Sequence, residues 1–231
     1  MRDMESQFRD VWVVVPAFHE AEIIGQTVAK LRVSFHNVAV VDDGSADATA
    51  REARQAGAYV VCHPINLGQG AALQTGLQFA LAQGAAIVAT FDADGQHQVS
   101  DLVHMVEILR RDTVDVVLGS RFLGKADGIP AVRRIMLKAA VAFTNLTTGV
   151  RLTDAHNGLR AMTASAARRL EIRQNRMAHA SEIVSQIGKC GLKYCEVPVT
   201  ITYTNYSLAK GQKVSGSVRV LSDLLTGWLL R

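Results

Sequence analysis

The sequence predicts an α/β fold, with a mostly parallel central sheet flanked by helices. Two observations carry that prediction. Short apolar runs alternate with stretches of helical spacing from residue 11 to residue 119, the pattern of repeated strand–helix–strand units. Three of those runs also lead into carboxylates: Glu20, the pair Asp42 and Asp43, and the pair Asp92 and Asp94. Parallel sheets bind ligands beyond the carboxyl ends of their strands, so these acids fall where chemistry is expected.

The elements follow in order. Residues 11–16 (VWVVVP) are apolar without alternation and stop at a proline, which reads as a strand buried on both faces. Ala21 to Leu31 has helical spacing. Residues 38–42 (VAVVD) form a second strand, and Asp47 to Ala56 a second helix. Tyr59 to Val61 is a third strand, Gly70 to Leu81 a third helix, and 86–92 (AIVATFD) a fourth strand. Leu102 to Leu109 is helical and 115–119 (DVVLG) is a fifth strand. Beyond it, 131–147 and Ser181 to Cys190 read as helices, and 193–202 (KYCEVPVTIT) alternates like a strand. Residues 203–216, rich in Ser, Gly, Lys and Asn, read as a mobile basic loop. In 217–231, Val218, Leu221, Leu224, Leu225, Trp228 and Leu229 recur at helical spacing, an amphipathic C-terminal helix. There is no repeat or low-complexity linker, so 1–216 reads as one domain and 217–231 as its terminal helix.

Bulk composition limits the function classes. The 231 residues are 48% hydrophobic and 20% charged, which excludes a disordered chain and supports one sizeable core. A net charge of +4 suits a phosphate-bearing ligand or an anionic membrane surface. No basic-aromatic module stands out, so nucleic acid is not an expected partner. The three cysteines, Cys62, Cys190 and Cys195, have neither zinc nor disulfide spacing and read as reduced thiols. Ala71 to Phe91 lacks charge, but Gln74, Gln78, Gln83 and Gly84 divide it into a helix and a strand rather than a membrane span. Met1 to Asp10 is polar and unlike a signal peptide, so the expected location is the cytoplasm.

The strand ends hold the candidate site. In an extended segment Asp92 and Asp94 point the same way, so Asp-X-Asp can aim two hard oxygens at one divalent cation. Mg²⁺ and Mn²⁺ prefer such ligands and share them with substrate phosphates. Gly95 permits the turn that follows, and Gln96 offers a neutral oxygen. A carboxylate in Asp42-Asp43-Gly44-Ser45 can accept from a ribose hydroxyl or a base N–H, while Ser45 or Asp47 caps the next helix. Asn66 to Gly70 opens a helix with small residues, a setting that favours anions. Arg121, just past the fifth strand, can hold a diphosphate or a sugar hydroxyl. Asp154, in a glycine-containing turn, can orient or deprotonate an acceptor.

Six motifs in this order resemble family 2 glycosyltransferases, most closely the branch of dolichol-phosphate mannose synthase and bacterial polyprenyl-phosphate glycosyltransferases. They are VVVPAFHEAE (13–22), VVDDGSADAT (40–49), NLGQGAALQTGL (66–77), FDADGQH (91–97), LGSRF (118–122) and TDAHNGLRAM (153–162). The resemblance implies a GT-A fold, a nucleotide diphosphate sugar donor linked to UDP or GDP, and inversion at the anomeric carbon. It implies that Pro16, Phe18 and Glu20 border the nucleotide and that Val41 and Asp43 contact its base or ribose. Asp92, Ala93 and Asp94 would hold diphosphate and a Mg²⁺ or Mn²⁺ ion, with Gln96 a further metal ligand. Arg121 would face the donor, Asp154 would act at the acceptor, and Glu182 would be another acceptor-side acid. Lys210 and Lys213 in the basic loop would neutralise diphosphate charge.

The implied acceptor is a polyprenyl phosphate or another lipid or glycan precursor of the cell envelope. The terminal helix would lie on the membrane surface or pack on the domain. Three positions depart from the family pattern: His19 replaces the usual Asn, Gln69 the usual Lys and Gln98 the usual acid. Two other functions bear comparison. A nucleotidyltransferase would carry a Gly-rich basic loop after the first strand, where this chain has PAFHE. A non-catalytic nucleotide-sugar-binding protein would have lost a metal carboxylate, and this chain keeps both.

Overall fold

The structure is a computed structural model that describes residues 8–127, 131–155, 157–175 and 178–202. The expected basic loop with Lys210 and Lys213, and the expected helix over 217–231, lie outside the described residues. Strand β1 (Val11–Ala17) leads through α1 (Ile24–Arg32) to β2 (Asn37–Asp42), and α2 (Thr49–Gln55) to β3 (Tyr59–Cys62). Next come α3 (Gln69–Ala82), β4 (Ile87–Thr90), α4 (Val99–Arg111) and β5 (Val116–Asp127). The rest is α5 (Ala131–Thr148), β6 (Arg160–Thr163), α6 (Ala164–Arg169), α7 (His179–Lys189) and β7 (Tyr194–Thr202).

The seven strands form one sheet in the order β3-β2-β1-β4-β6-β5-β7. All run parallel except β6, which pairs antiparallel with both β4 and β5. The unbroken apolar runs have their reason in the two faces of this sheet. Val11, Val13 and Val15 of β1 join a core with Ile24, Val28 and Leu31 of α1 and Leu102 and Val106 of α4. The alternate residues Trp12 and Val14 join a second core with Leu73 and Leu77 of α3 and Ile183 and Ile187 of α7. Both sides are covered, so no polar alternation survives. Contact on the second face is close: a methyl group added at Gly76 of α3 would come within 2.1 Å of the Val14 Cγ1.

The chain departs from its sequence pattern at α1, β4, β5, β6 and α6. Helix α1 begins at Ile24 because residues 21–23 form a turn. Strand β4 ends at Thr90, releasing Phe91 and Asp92 into the loop beyond the sheet, while β5 runs on to Asp127 across a register shift against β7. The reversed strand β6 and the short helix α6 were not foreseen. Four residues are too few to show a period, although Thr163 caps α6 by accepting a hydrogen bond from the Ala166 N–H. Strand β1 has β2 on one side and β4 on the other, which creates a topological switch point at the carboxyl edge.

Candidate active site

A cavity of about 540 Å³ opens at that edge. Of the residues singled out in the sequence, Pro16, Phe18, Glu20, Asp43, Asp92, Ala93, Asp94, Gln96 and Arg121 line it. Val41 and Asp154 do not.

Asp92 and Asp94 leave the end of β4 together, yet their surroundings push them apart. Burial works to raise the Asp92 carboxyl, but a hydrogen bond and charge from His97, with the charges of Arg160 and His179, outweigh it and hold it below the usual range. His97 Nε2 is 3.0 Å from Asp92 Oδ2, and Gln69 Nε2 donates to Oδ1 at 3.3 Å. An ionised carboxylate only accepts, so His97 Nε2 carries the hydrogen. Beneath this carboxylate lies Gly158, where an added methyl group would come within 2.2 Å of Oδ2. Asp94 is pushed the other way, up to about 6, by burial and then by the charge of Asp92, with Glu20 adding to it. Among the described residues no group of three His, Cys, Asp or Glu side chains forms a metal cage. The carboxylate pair nevertheless fits a divalent ion. A dication relieves the repulsion that raises Asp94, and the remaining positions suit diphosphate oxygens and water.

Asp43 lines the cavity and is also tied into the protein's own hydrogen bonds. Its Oδ1 accepts from the Leu67 N–H at 2.9 Å and lies 2.7 Å from His63 Nδ1. Its Oδ2 accepts from the Gly68 N–H at 2.7 Å and Asn66 Nδ2 at 2.9 Å. His63 Nε2 continues to Thr75 Oγ1 at 2.9 Å. The carboxylate thus clamps the loop that opens α3, and its oxygens are already engaged. The expected contact of Val41 with base or ribose is not made by its side chain, which is fully buried beside Gly76.

At the mouth, Phe18 is 39% exposed and its ring stacks on His19 at 4.0 Å. His19 has φ 55°, a left-handed conformation that Asn and His tolerate better than most residues. That explains why an Asn-to-His exchange is accommodated here. Ser45 Oγ accepts from the His19 N–H, and His19 Nε2 accepts from the Ala46 N–H.

Arg121 Nε donates to Asp154 Oδ2 at 2.6 Å, and the Arg121 N–H reaches the same oxygen at 3.1 Å. The Asp154 side chain has no exposed surface. Of the two roles expected of Asp154, orienting or deprotonating an acceptor, this enclosed carboxylate bound to arginine suits the first. Glu196 of β7 holds the preceding turn, accepting from the Thr153 and Asp154 N–H groups. Glu182 is likewise occupied away from the cavity, accepting from the Arg173 and Gln174 N–H groups.

Gln69, His97, Gly158, Arg160 and His179 also line the cavity but were given no role from sequence. Gln69 and His97 stood inside quoted motifs. Gly158 and Arg160 stood inside another, TDAHNGLRAM, without a role being read from them, and the fold brings in His179 from the start of α7. Burial pushes the Arg160 guanidinium below its ordinary value, with Asp92 and Asp154 pulling it back.

Comparison with known proteins adds a family. The profile of Glycosyl transferase family 2 matches residues 12–170. An uncharacterized protein of Methanocaldococcus jannaschii is 37% identical over 94% of this chain and 91% of its own. A UDP-N-acetylglucosamine–dolichyl-phosphate N-acetylglucosaminyltransferase of Methanococcus voltae is 31% identical over 93% of this chain and 94% of its own. Among solved structures, glucosyl-3-phosphoglycerate synthase of Mycobacterium tuberculosis, in complex with Mn²⁺, uridine diphosphate and glucosyl-3-phosphoglycerate, superposes with a TM-score of 0.71 at 20% identity. That match covers 97% of this chain and 81% of the other.

Proposed function

The chain belongs to glycosyl transferase family 2 and has the GT-A fold, and from that membership we propose that it transfers a sugar from a nucleoside diphosphate to a polyprenyl phosphate, inverting the anomeric carbon. The observation that carries this reading is the carboxylate pair at the switch point. Asp92 is held below the usual carboxylate range, while burial and the charge of Asp92 push its neighbour Asp94 up to about 6, a repulsion that a cation between them would relieve. Asp92, Asp94 and Gln96 would hold Mg²⁺ or Mn²⁺. When bound, that ion supplies positive charge to the departing diphosphate.

The chain's own residues do the rest. His97 and Gln69 fix the orientation of Asp92. Phe18 offers an exposed ring at the mouth for a nucleobase, and Pro16 and Glu20 border it. Arg121, braced by Asp154, presents a guanidinium to the reacting groups. The enclosure of Asp154 favours a phosphate acceptor over a hydroxyl one. A phosphate monoester is already ionised near neutral pH and attacks without a general base, whereas a hydroxyl needs one. The acceptor named for the Methanococcus voltae relative, a dolichyl phosphate, is of this class. Contact with the membrane that carries such an acceptor would be peripheral, because among the described residues no helix is long and apolar enough to cross one.

The test is a panel of UDP and GDP sugars with Mg²⁺ or Mn²⁺ and a polyprenyl phosphate, read as glycolipid formed. Product from at least one donor, lost in EDTA, is expected. Transfer to a sugar hydroxyl but to no lipid phosphate would refute the acceptor assignment.

A further inference from the structure

We infer that Arg160 is an anion receptor in the cavity wall, taking a phosphoryl group of the bound ligand through its guanidinium. The inference rests on the transferase reading above and adds a binding residue to it. Arg160 is only 2% exposed, lines the cavity, and its Nη1 is buried without a hydrogen-bond partner. A buried N–H of a charged group left unmade is costly, and native structures rarely retain one without use.

The two nearest carboxylates are committed elsewhere. Asp92 is engaged by His97 and Gln69, and Asp154 by Arg121. They balance the charge of Arg160 but leave its Nη1 without a partner among the described residues, so we assign the missing partner to the ligand. A planar fork of N–H donors matches the oxygens of a phosphoryl group in pairs.

Position narrows the ligand further. Arg160 is the first residue of β6, in register with Thr90 of β4 and Leu118 of β5. Asp92 follows Thr90, and Arg121 follows Leu118. Arg160 therefore lies between the strand that delivers the metal carboxylates and the strand that delivers Arg121. Both phosphoryl groups of the proposed reaction, the donor's diphosphate and the acceptor's monophosphate, must pass through that space. Either satisfies the chemistry, and binding experiments separate them.

Isothermal titration of wild-type protein, Arg160→Gln and Arg160→Lys would use UDP, GDP, UMP, GMP and farnesyl phosphate, each with Mn²⁺ and with EDTA. Mn²⁺ alone would be titrated as well. Loss of charge-assisted bonds should weaken the affected ligand about ten- to one-hundredfold in Arg160→Gln. Arg160→Lys keeps the charge without the fork and should fall between. Weakened diphosphate with unchanged monophosphate places Arg160 on the donor. Weakened farnesyl phosphate with unchanged nucleotides places it on the acceptor.

Unchanged affinity for every phosphate probe in both variants, with normal wild-type binding, overturns the inference alone. So does a loss confined to Mn²⁺, which would make Arg160 only a positioning residue for Asp92. Wild-type protein that binds none of the probes overturns the transferase reading together with this one. Should Arg160→Gln not fold, the Arg160→Lys comparison decides by the same criteria.

Discussion

Asp94 and Asp154 make opposite use of burial. Asp94 is pushed up to about 6 from 3.8, so between those values the native protein keeps a proton that the unfolded chain has released. Stability contributed by this group is therefore present at low pH and lost as pH rises through the window. Asp92, held low, contributes in the opposite direction, so the comparison needs Asp94→Asn as reference. Without divalent metal, the melting temperature of wild type relative to Asp94→Asn should fall from about pH 4 to about pH 7. Mn²⁺ affinity of the wild type should rise over the same range, because the ion requires the deprotonated carboxylate. A flat difference would remove the assigned role of Asp94. Asp154 instead makes a buried pair, and Asp154→Ala removes the carboxylate to which the Arg121 Nε donates. We expect a loss of about 3 kcal/mol or more in urea unfolding. Asp154→Asn should lower kcat without altering the pH–rate profile. Disappearance of a basic limb from that profile would restore the role of proton acceptor.

Among the elements, those legible in sequence are the ones whose burial leaves a pattern. β1 and β2 are sealed on both faces and read as unbroken apolar runs, and α4 shows Leu102, Val106 and Leu109 on one side. β6 was invisible because Arg160 to Thr163 contains two apolar residues and owes its pairing to neighbours distant in sequence. The site divides along the same line. Asp92, Asp94 and Gln96 are adjacent on one strand end and announce themselves. Arg160 and His179 reach Asp92 only through tertiary structure, and sequence left Asp154 to orient or deprotonate an acceptor because it cannot show the pairing with Arg121. The close approach of α3 to β1 also yields a prediction. Gly76→Ala drives a methyl group into Val14 and must push α3 off the sheet. A destabilisation of about 1–3 kcal/mol is expected, read as a lower urea midpoint. Because α3 begins beside the cavity, nucleotide binding should weaken with it.

For the molecule as a whole, ligand and fold are linked through the cavity. The site brings Asp92 and Asp94 together against their repulsion, and in the proposed function a cation with a diphosphate completes it. Mn²⁺ and nucleoside diphosphate added together should raise the melting temperature by more than the sum of their separate effects, measured by differential scanning fluorimetry. Strictly additive shifts would mean that the two occupy independent places.

The reversed strand has one more consequence, for the order in which the chain can assemble. β5 emerges before β6 but touches none of the first four strands; in the finished sheet it is flanked only by β6 and β7. During synthesis, the half that ends with β4 can pair its strands while β5 still lacks both neighbours. β6 then enters as a wedge between β4 and β5, and only that step brings Arg121 alongside Asp92. A nascent chain that has not reached Thr163 carries Asp92 and Asp94 but lacks β6 and its Arg160, so the proposed sugar-nucleotide site would be completed late and all at once.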